Sequence, residues 1–445
     1  MLAFVAFWQN RGNFFLSRER LYPRRKKSVP EGGRVNAPDR SSQFKKGDRM
    51  KKSLIAVAVA SAFVAPAAMA EVTLSGAINL GMEYGKSSAG SVAGNTGVSG
   101  THFGATYSHV DLESVDDIGG GNKVIFHYQM NVAGDSPGAM GNTGAITNRN
   151  SFLGIAGNWG AFKMGNNENV YERMMYTADP LDGAAGPGGN LSMLGTPGAG
   201  RVFENTQNPS AGPQVDFYRR AEQTIWYESP NWSGFSFEVD YTLSAYKTAA
   251  APAAPSINPT IFSIGGKFQP EAAPFYVDLA FEKHKDMFGL DLITTAAGVA
   301  GGGGTSSDDT GIQIGAGYTI GDLGLHVRYE QLKYKEDGVA AGIAEEWKRN
   351  AYWFAAKYNL PSGYIGGEIG IAQDGKTNVQ KENDTGAKMF SIGYFHNLSK
   401  QSQLQFIYGR MDNDDRGTYA MTGQTGPANP GSTGQVVHVG LKHTF

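Results

Sequence analysis

The sequence of 445 residues contains no cysteine, which excludes disulfide bonds, zinc–thiolate sites and a thiol nucleophile. Beyond its first part it has no run of 18 apolar residues, so no membrane-spanning helix is predicted. It also lacks the H-E-x-x-H, G-x-S-x-G and Walker patterns. The acidic stretch Asp412-Asn413-Asp414-Asp415 lacks the glycine and the bidentate glutamate of an EF-hand loop. We therefore expect the protein to have no enzymatic activity, no cofactor and no metal site.

The start of the chain has the three parts of a secretory signal peptide. Met50-Lys51-Lys52 is a short basic region, Leu54 to Val64 is apolar, and Ala68-Met69-Ala70 matches an A-x-A cleavage site. We predict a signal peptide over residues 50–70 that is removed after Ala70. Residues 1–49 are basic and show no repeating pattern. We interpret them as an unstructured stretch upstream of the true start of the protein, which we place at Met50.

Acidic residues outnumber basic residues once this start is set aside. Residues 71–445 hold 25 Lys and Arg against 37 Asp and Glu, a net charge of −12. This balance argues against a nucleic-acid partner. If the protein passes ions, this negative net charge weakly favours cations over anions.

Period-two alternation, the pattern of β-strands, recurs from Glu71 to the end of the chain. In Phe235 to Ser244, one face is Phe, Phe, Val, Tyr and Leu, and the other is Ser, Glu, Asp, Thr and Ser. Sixteen such segments are predicted: 72–84, 101–115, 122–132, 149–157, 161–167, 218–229, 235–247, 258–269, 275–284, 309–320, 324–335, 350–360, 364–373, 387–397, 402–412 and 435–445.

The connections between these segments alternate between short turns and long polar loops, which is typical of bacterial membrane barrels. Aromatic residues such as Tyr84, Tyr318 and Tyr358 lie near the ends of apolar faces, as in interfacial girdles. The last segment ends in Phe445, and pairing it with the first would leave no open edge. We predict an all-β fold: a transmembrane sixteen-stranded antiparallel β-barrel over residues 71–445.

Several stretches resemble the general diffusion porins of β-proteobacteria: Ser114 to Phe126, Asn148 to Gly160, Thr224 to Pro230, and the terminal Phe445. The resemblance covers Glu71–Phe445. It implies an outer-membrane homotrimer in lipid, with a water-filled channel in each barrel for ions and small hydrophilic solutes. It also implies a third outer loop that folds into the lumen, here about 168–217. The acidic residues of that loop would face a basic wall: Glu168, Glu172, Asp179 and Asp182.

The sequence departs from the pattern of this family in two places. The second strand often reads Ser-Arg-x-Gly and here reads Ser108-His109-Val110-Asp111. The fifth strand often ends in Gly-Arg and here ends in Gly165-Asn166. Two customary wall arginines are therefore missing, which casts doubt on an anion preference.

Alternation assigns further charged side chains to the lumen, where charged rings select by electrostatics. The basic wall residues are predicted to be Lys163, Arg220, Arg328, Lys267, Lys357 and Lys442. The second strand is predicted to contribute His109, Asp111 and Glu113.

Three other functions stay open at this point. A substrate-specific channel would need an aromatic track, to which Tyr171, Tyr176, Trp226 and Trp353 could contribute. A barrel enzyme would need a nucleophile, a base and an orienting group at the rim. A soluble adhesin would bury the apolar faces in a sandwich. A passive diffusion channel, with weak cation preference, is our first interpretation.

Overall fold

The computed structural model describes residues 71–105, 107–132, 148–181, 186–199, 216–244, 247, 258–287, 290, 293–294, 306–379 and 384–445. Residues 1–49, the predicted signal peptide over 50–70 and the predicted site residue Asp182 lie outside the described residues. Within the described part of the chain, no helix is long and apolar enough to cross a membrane.

The described residues form strands joined by turns and loops, together with short helical stretches. The helix α1 spans Val170–Tyr176, and a 3-10 turn spans Asn190–Ser192. In chain order the strands are β1 Glu71–Ser87, β2 Val98–Gly104, β3 His109–Gly119, β4 Asn122–Asn131, β5 Asn148–Gly157, β6 Gly160–Glu168, β7 Arg220–Glu228, β8 Phe235–Thr242, β9 Thr260–Phe268, β10 Phe275–Lys285, β11 Ser306–Ile320, β12 Leu323–Asp337, β13 Glu346–Leu360, β14 Gly363–Ala372, β15 Lys376–Thr377, β16 Ala387–Asn397, β17 Ser402–Asn413 and β18 Thr433–Thr444.

These segments occupy sixteen positions in one closed antiparallel sheet. Both β2 and β3 pair with β1, so together they fill a single strand position. The two-residue β15 pairs with β13 beyond the end of β14 and extends that position. The barrel closes where β1 pairs with β18, from Ala77 opposite Thr444 to Ser87 opposite Gly434. The predicted sixteen-stranded antiparallel barrel is confirmed.

The two faces of the sheet differ sharply in chemistry. In β12, Leu325 and Val327 are 41% and 47% exposed, whereas His326 and Arg328, which alternate with them, are 4% and 2% exposed. The same contrast recurs around the barrel, because successive side chains of a strand point to opposite faces. The outer face is therefore apolar and open, and the inner face carries the polar and charged groups.

The second strand was predicted to be continuous over 101–115, but the structure divides it into β2 and β3. The ladder is interrupted between Gly104 and His109, where Tyr107 has a φ of 56°. The side chain of Ser108 takes the place of the missing ladder bonds. Its Oγ accepts from Asn79 N at 2.9 Å and donates to Asn79 O at 2.9 Å. A hydroxyl that bonds to the backbone in this way keeps the buried amide and carbonyl of β1 satisfied.

Candidate functional site

The chain after β6 is held among inward-facing side chains of distant strands. We call residues 169–199, of which 169–181 and 186–199 are described, segment 169–199. Asn169 caps α1 by accepting from Glu172 N at 2.8 Å. The first two amides of the helix donate to the wall, Val170 N to Asp240 Oδ2 at 2.8 Å and Tyr171 N to Ser263 Oγ at 3.0 Å. The helix is thus oriented by β8 and β9.

Glu168, a predicted constriction residue, ends β6 within a cluster of cationic side chains. It forms an ion pair with Arg220 of β7, another predicted residue. Arg149 of β5 lies 3.9 Å from the same carboxylate, and Asn150 Nδ2 donates to it at 3.3 Å. The structure therefore brings one predicted acid and one predicted base together. It adds Arg149, which the sequence analysis did not select.

Glu172 of α1 lies beside this cluster, buried against Tyr176, whose hydroxyl donates to its Oε1. The other oxygen, Oε2, has no hydrogen-bond partner among the described residues. Burial and the neighbouring negative charge of Glu168 raise the pKa of Glu172 to about 7, against the opposing effect of Arg220. This carboxyl group is consequently poised to change its charge near neutral pH.

A second set of charges lies beside the first, on β6, β7 and β8. Lys163 Nζ forms an ion pair with Glu228 Oε1 at 2.6 Å and lies 4.7 Å from the centre of the Phe152 ring. Arg173 of α1 donates from Nε to Glu238 Oε2 at 3.0 Å. Burial opposes the charge of Arg173, but Glu238 and the other nearby carboxylates raise its pKa above the usual value. Together with the cluster around Glu168, these ion pairs form a band of alternating charges on one side of the lumen.

The second strand contributes a histidine–carboxylate cluster. Asp111 accepts from His127 Nε2 and Gln129 Nε2, both at 2.8 Å, and lies 3.2 Å from His109 Nε2. His109 Nδ1 is 2.6 Å from Tyr107 O, and a carbonyl oxygen can only accept, so Nδ1 carries a proton. The Nε2 contact with Asp111 is then attractive only when Nε2 is protonated too.

Glu113, also predicted for this wall, is more open to solvent. Its carboxylate lies 3.8 Å from His127 Nε2, and its side chain is 44% exposed. The cluster reaches the charges around α1 through Gln129, whose Oε1 accepts from Arg149 Nε at 3.1 Å. The predicted second-strand residues and the predicted Glu168 therefore belong to one connected network.

The remaining basic wall residues lie on the inner face of other strands. Arg328 is fully buried and forms an ion pair with Asp278 at 2.8 Å, while donating to Gln313 Oε1 at 2.6 Å. Gln313 in turn donates to Tyr171 O at 2.6 Å, so this group supports α1. Lys267 Nζ lies 4.8 Å from the ring centre of Tyr276, and Lys357 Nζ lies 3.8 Å from that of Tyr364. Lys442 is half-buried in β18, opposite Asn79 and Gln403.

Asp179 organises its own loop. Its Oδ1 accepts from Leu181 N at 2.7 Å and its Oδ2 from Asn190 N at 3.1 Å. These bonds hold two parts of segment 169–199 together. A role for Asp179 in contacting solutes stays a prediction, as does any role of Asp182.

A further attachment of segment 169–199 to the wall uses a residue that the sequence analysis missed. Arg349 of β13 pairs with Glu330 of β12 at 2.7 Å and donates from Nε to Thr196 O at 2.8 Å. The predicted strand began at residue 350, which left Arg349 in a loop. The alternation Trp347, Arg349, Ala351, Trp353 would have found it, because all four are buried on the inner face. Arg149 was missed because the ladder between β4 and β5 shifts register beside it, which reverses the parity.

No group of three or more His, Asp or Glu side chains in the described residues could hold a metal ion. The four aromatic residues considered for a solute track are bound to different partners. Tyr171 donates to Glu330, Tyr176 to Glu172, Trp226 to Glu228 and Trp353 to Glu368.

A closed sixteen-stranded barrel with an apolar outer face and a charged lumen defines a transmembrane β-barrel channel. The sequence profile described as Gram-negative porin matches residues 56–416. The chain belongs to this family, and it is an outer-membrane porin, a channel for passive diffusion.

Individual relatives agree with this assignment. The chain is 29% identical to outer membrane porin protein 32 of Delftia acidovorans over 89% of its own length and all of that protein. Major outer membrane protein P.IB of Neisseria meningitidis serogroup B is 30% identical over 44% of this chain and 50% of that protein.

Solved structures share the fold. An anion-selective porin from Comamonas acidovorans has a TM-score of 0.63 at 22% identity, covering 84% of this chain and all of that chain. The trimer form of OmpT from Vibrio cholerae has a TM-score of 0.55 at 12% identity, covering 84% of this chain and 99% of that chain. At these identities the likeness concerns the fold alone.

Proposed function

We propose that this porin is a weakly selective channel for ions and small hydrophilic solutes, constricted by segment 169–199. The observation that carries the proposal is the set of bonds from α1 to Asp240, Ser263 and Gln313, which lie on the inner face of three strands. A segment bonded to these positions narrows the lumen from within. The charges beside it, from Arg149, Glu168, Glu172 and Arg220, then form the narrowest ring.

Weak selectivity follows from the balance of these charges. Two arginines lie beside Glu168 and Glu172, and burial together with the charge of Glu168 raises the pKa of Glu172 to about 7. Ion pairs within such a ring cancel most of its net charge, so that neither sign of ion is strongly favoured. The weak cation preference predicted from the net charge has no support from the relatives, one of which is described as anion-selective. We propose that the sign depends on the ionisation of Glu172.

We also propose that the channel is a homotrimer in outer-membrane lipid. One structure of similar fold is described as a trimer form, and the family resemblance implies the same assembly. Export through a signal peptide over 50–70 and the absence of catalytic activity stay predictions. A mass spectrum of the mature protein that begins at Glu71 would support cleavage after Ala70, and peptides from 1–49 would contradict the over-prediction of the start.

The deciding experiment is single-channel recording of the purified protein in a planar bilayer under a salt gradient. Stepwise conductance that appears in threes supports an open trimeric pore. The reversal potential gives the sign of the preferred ion. No conductance from folded protein would reject the proposed constricted but open channel.

A further inference from the structure

Five inward-facing side chains lie close to the short turns at one end of the barrel, and we call them the basic patch: Lys267 of β9, Tyr276 of β10, His326 of β12, Lys357 of β13 and Tyr364 of β14. The turns beside them span 269–274, 321–322 and 361–362. Short turns of bacterial outer-membrane barrels face the periplasm. The basic patch therefore lines the periplasmic mouth of the lumen.

The centre of the basic patch is built around a glycine of β11. Gly317 lies opposite Tyr276 on one side and opposite His326 on the other. Because Gly317 has no side chain, the two flanking groups meet across it, with Tyr276 Oη 3.1 Å from His326 Nδ1. A Cβ on Gly317 would lie 2.7 Å from that nitrogen. The buried tyrosine and histidine thus form a fixed base between neighbouring strands.

The two lysines of the basic patch lie on aromatic rings and are partly exposed to the lumen. Lys267 Nζ is 4.8 Å from the ring centre of Tyr276, and Lys357 Nζ is 3.8 Å from that of Tyr364. His326 lies within electrostatic reach of both ammonium groups. An aromatic ring attracts an ammonium group and holds it in place, so both charges are oriented before a solute arrives.

The charges around the basic patch leave it positive. Asp278, opposite Lys267, forms an ion pair with Arg328 at 2.8 Å. Arg328 also lies within electrostatic reach of Lys267 and adds its own positive charge to this part of the wall. Glu368 of β14 accepts from Trp353 Nε1 at 3.1 Å. With three cationic side chains against these two carboxylates, the wall at the periplasmic mouth attracts anions.

We propose that the basic patch is a binding site for divalent oxyanions of the size of hydrogen phosphate, with Lys267 and Lys357 as the contacting groups. This inference rests on the proposed function, because it places a solute site in the same channel. The electrostatic potential of several cations acts twice as strongly on a divalent anion as on chloride. Lysine donors also suit the oxygens of such an ion.

The proposed site is separate from the charges beside α1. Lys267 lies two residues beyond Gly265 in β9, toward the short turn. A Cβ on Gly265 would lie 2.7 Å from Val170 Cγ1, so the helix packs on the wall at that position. An anion on the basic patch is therefore held between segment 169–199 and the periplasm.

Single-channel recording in KCl at pH 8 tests the site with potassium phosphate as the probe, because phosphate is then mainly divalent. Phosphate added to both sides should reduce the chloride current of the unmodified protein in a saturable way. Sulfate should do the same, and acetate at the same concentration should not. Lys267→Gln/Lys357→Gln should raise the half-blocking concentration of phosphate by at least about tenfold, because it removes two charged contacts.

Two further variants control for folding and for general charge effects. Lys267→Arg/Lys357→Arg keeps both charges and should keep the block by phosphate. Lys123→Gln removes one positive charge at the same end of the barrel, from an exposed position of β4, and should leave the half-blocking concentration unchanged. If Lys123→Gln weakens the block as much as the double glutamine variant does, general electrostatics explain the effect and the inference is overturned.

The outcomes distinguish this inference from the proposed function. An unmodified protein that conducts KCl but is not blocked by phosphate would overturn the site while leaving the porin intact. A block of unchanged strength in the double glutamine variant would place the anion elsewhere, beside Arg149 and Arg220, and would also overturn the inference. An absence of KCl conductance from folded protein would reject the proposed channel and, with it, the site.

Discussion

Arg349 and Glu330 form a buried ion pair, with Nη1 and Oε1 2.7 Å apart, and this pair joins the barrel wall to segment 169–199. Glu330 accepts from Gly195 N at 2.8 Å and from the Tyr171 hydroxyl at 3.0 Å. Arg349 donates to Thr196 O and, at 2.9 Å, to Met193 O. Two neighbouring strands therefore hold both ends of the described segment through one charge pair.

Removing one member of this pair should destabilise the protein strongly. Arg349→Met leaves the Glu330 carboxylate buried without its cation, and breaking a buried ion pair in this way costs about 3–5 kcal/mol. The free energy of unfolding, measured in urea after insertion into lipid, should fall accordingly. The double variant Arg349→Met/Glu330→Gln should recover part of the loss, since it leaves no buried charge.

The matched control is the exposed pair Arg410 and Asp412, also 2.7 Å apart, with side chains 43% and 46% exposed. Exposed pairs contribute about 0–1 kcal/mol, because water solvates and screens both charges. Arg410→Met should therefore have little effect. Similar small losses for Arg349→Met and Arg410→Met would show that the buried pair does not anchor the segment.

Glu172 should make the ion selectivity depend on pH. Its pKa of about 7 means that the carboxyl group is neutral well below pH 7 and ionised above it. Raising the pH from 6 to 8 therefore adds negative charge beside Arg149 and Arg220. The reversal potential in a KCl gradient should shift toward K⁺ over this range.

Glu172→Gln removes the titrating group and should abolish this shift while preserving the side-chain shape. Glu345→Gln, on an exposed connection, serves as the control and should retain the shift. A shift of the same size in Glu172→Gln would assign the pH dependence to other groups of the lumen.

Lys163 should contribute a positive charge to the wall that faces α1. It is buried, and its Nζ is held by Glu228 and lies over the Phe152 ring. Lys163→Gln leaves Glu228 uncompensated, so the channel should favour K⁺ more than the unmodified protein does. Reversal potentials measure this change. Lys123→Gln, at an exposed position of β4, should change them less, and an equal change would contradict a specific role for Lys163.

Alternation predicted the strands well because it reports which side chains face lipid and which face the lumen. It failed where the backbone departs from a regular strand. Tyr107 breaks the second strand at a positive φ that nothing in the local sequence signals, and the register shift in β5 turned Arg149 inward. Each irregularity is stabilised by contacts with residues far away in the chain, which a local pattern does not contain.

The position of segment 169–199 could not be derived from its own residues either. Its glycines and prolines predict a loop, but its path is set by Asp240, Ser263, Glu330 and Arg349 on four separate strands. The family resemblance alone indicated an inward fold. The sequence thus identified charged candidates such as Glu168 and Arg220 without identifying which of them are paired.

The closure of the barrel depends on Gly76 of β1, and this dependence can be tested with a single added carbon. Gly76 N donates to Phe445 O and Phe445 N donates to Gly76 O, both at 3.1 Å. A Cβ on Gly76 would lie 2.5 Å from His109 O and 2.8 Å from Phe445 Cζ. Gly76→Ala should therefore strain the pairing of β1 with β3, because the backbone oxygen of His109 cannot move aside, and should displace the ring of Phe445.

We expect Gly76→Ala to lower the temperature at which the folded barrel loses its compact mobility on a gel. Gly367→Ala in β14 is the control, since its added Cβ would meet only Ser391 O at an ordinary 3.5 Å. The control should keep the transition of the unmodified protein. If both alanine variants melt alike, the close contacts of Gly76 with His109 and Phe445 do not limit the stability of the closed barrel, and closure depends instead on the remaining pairs between β1 and β18.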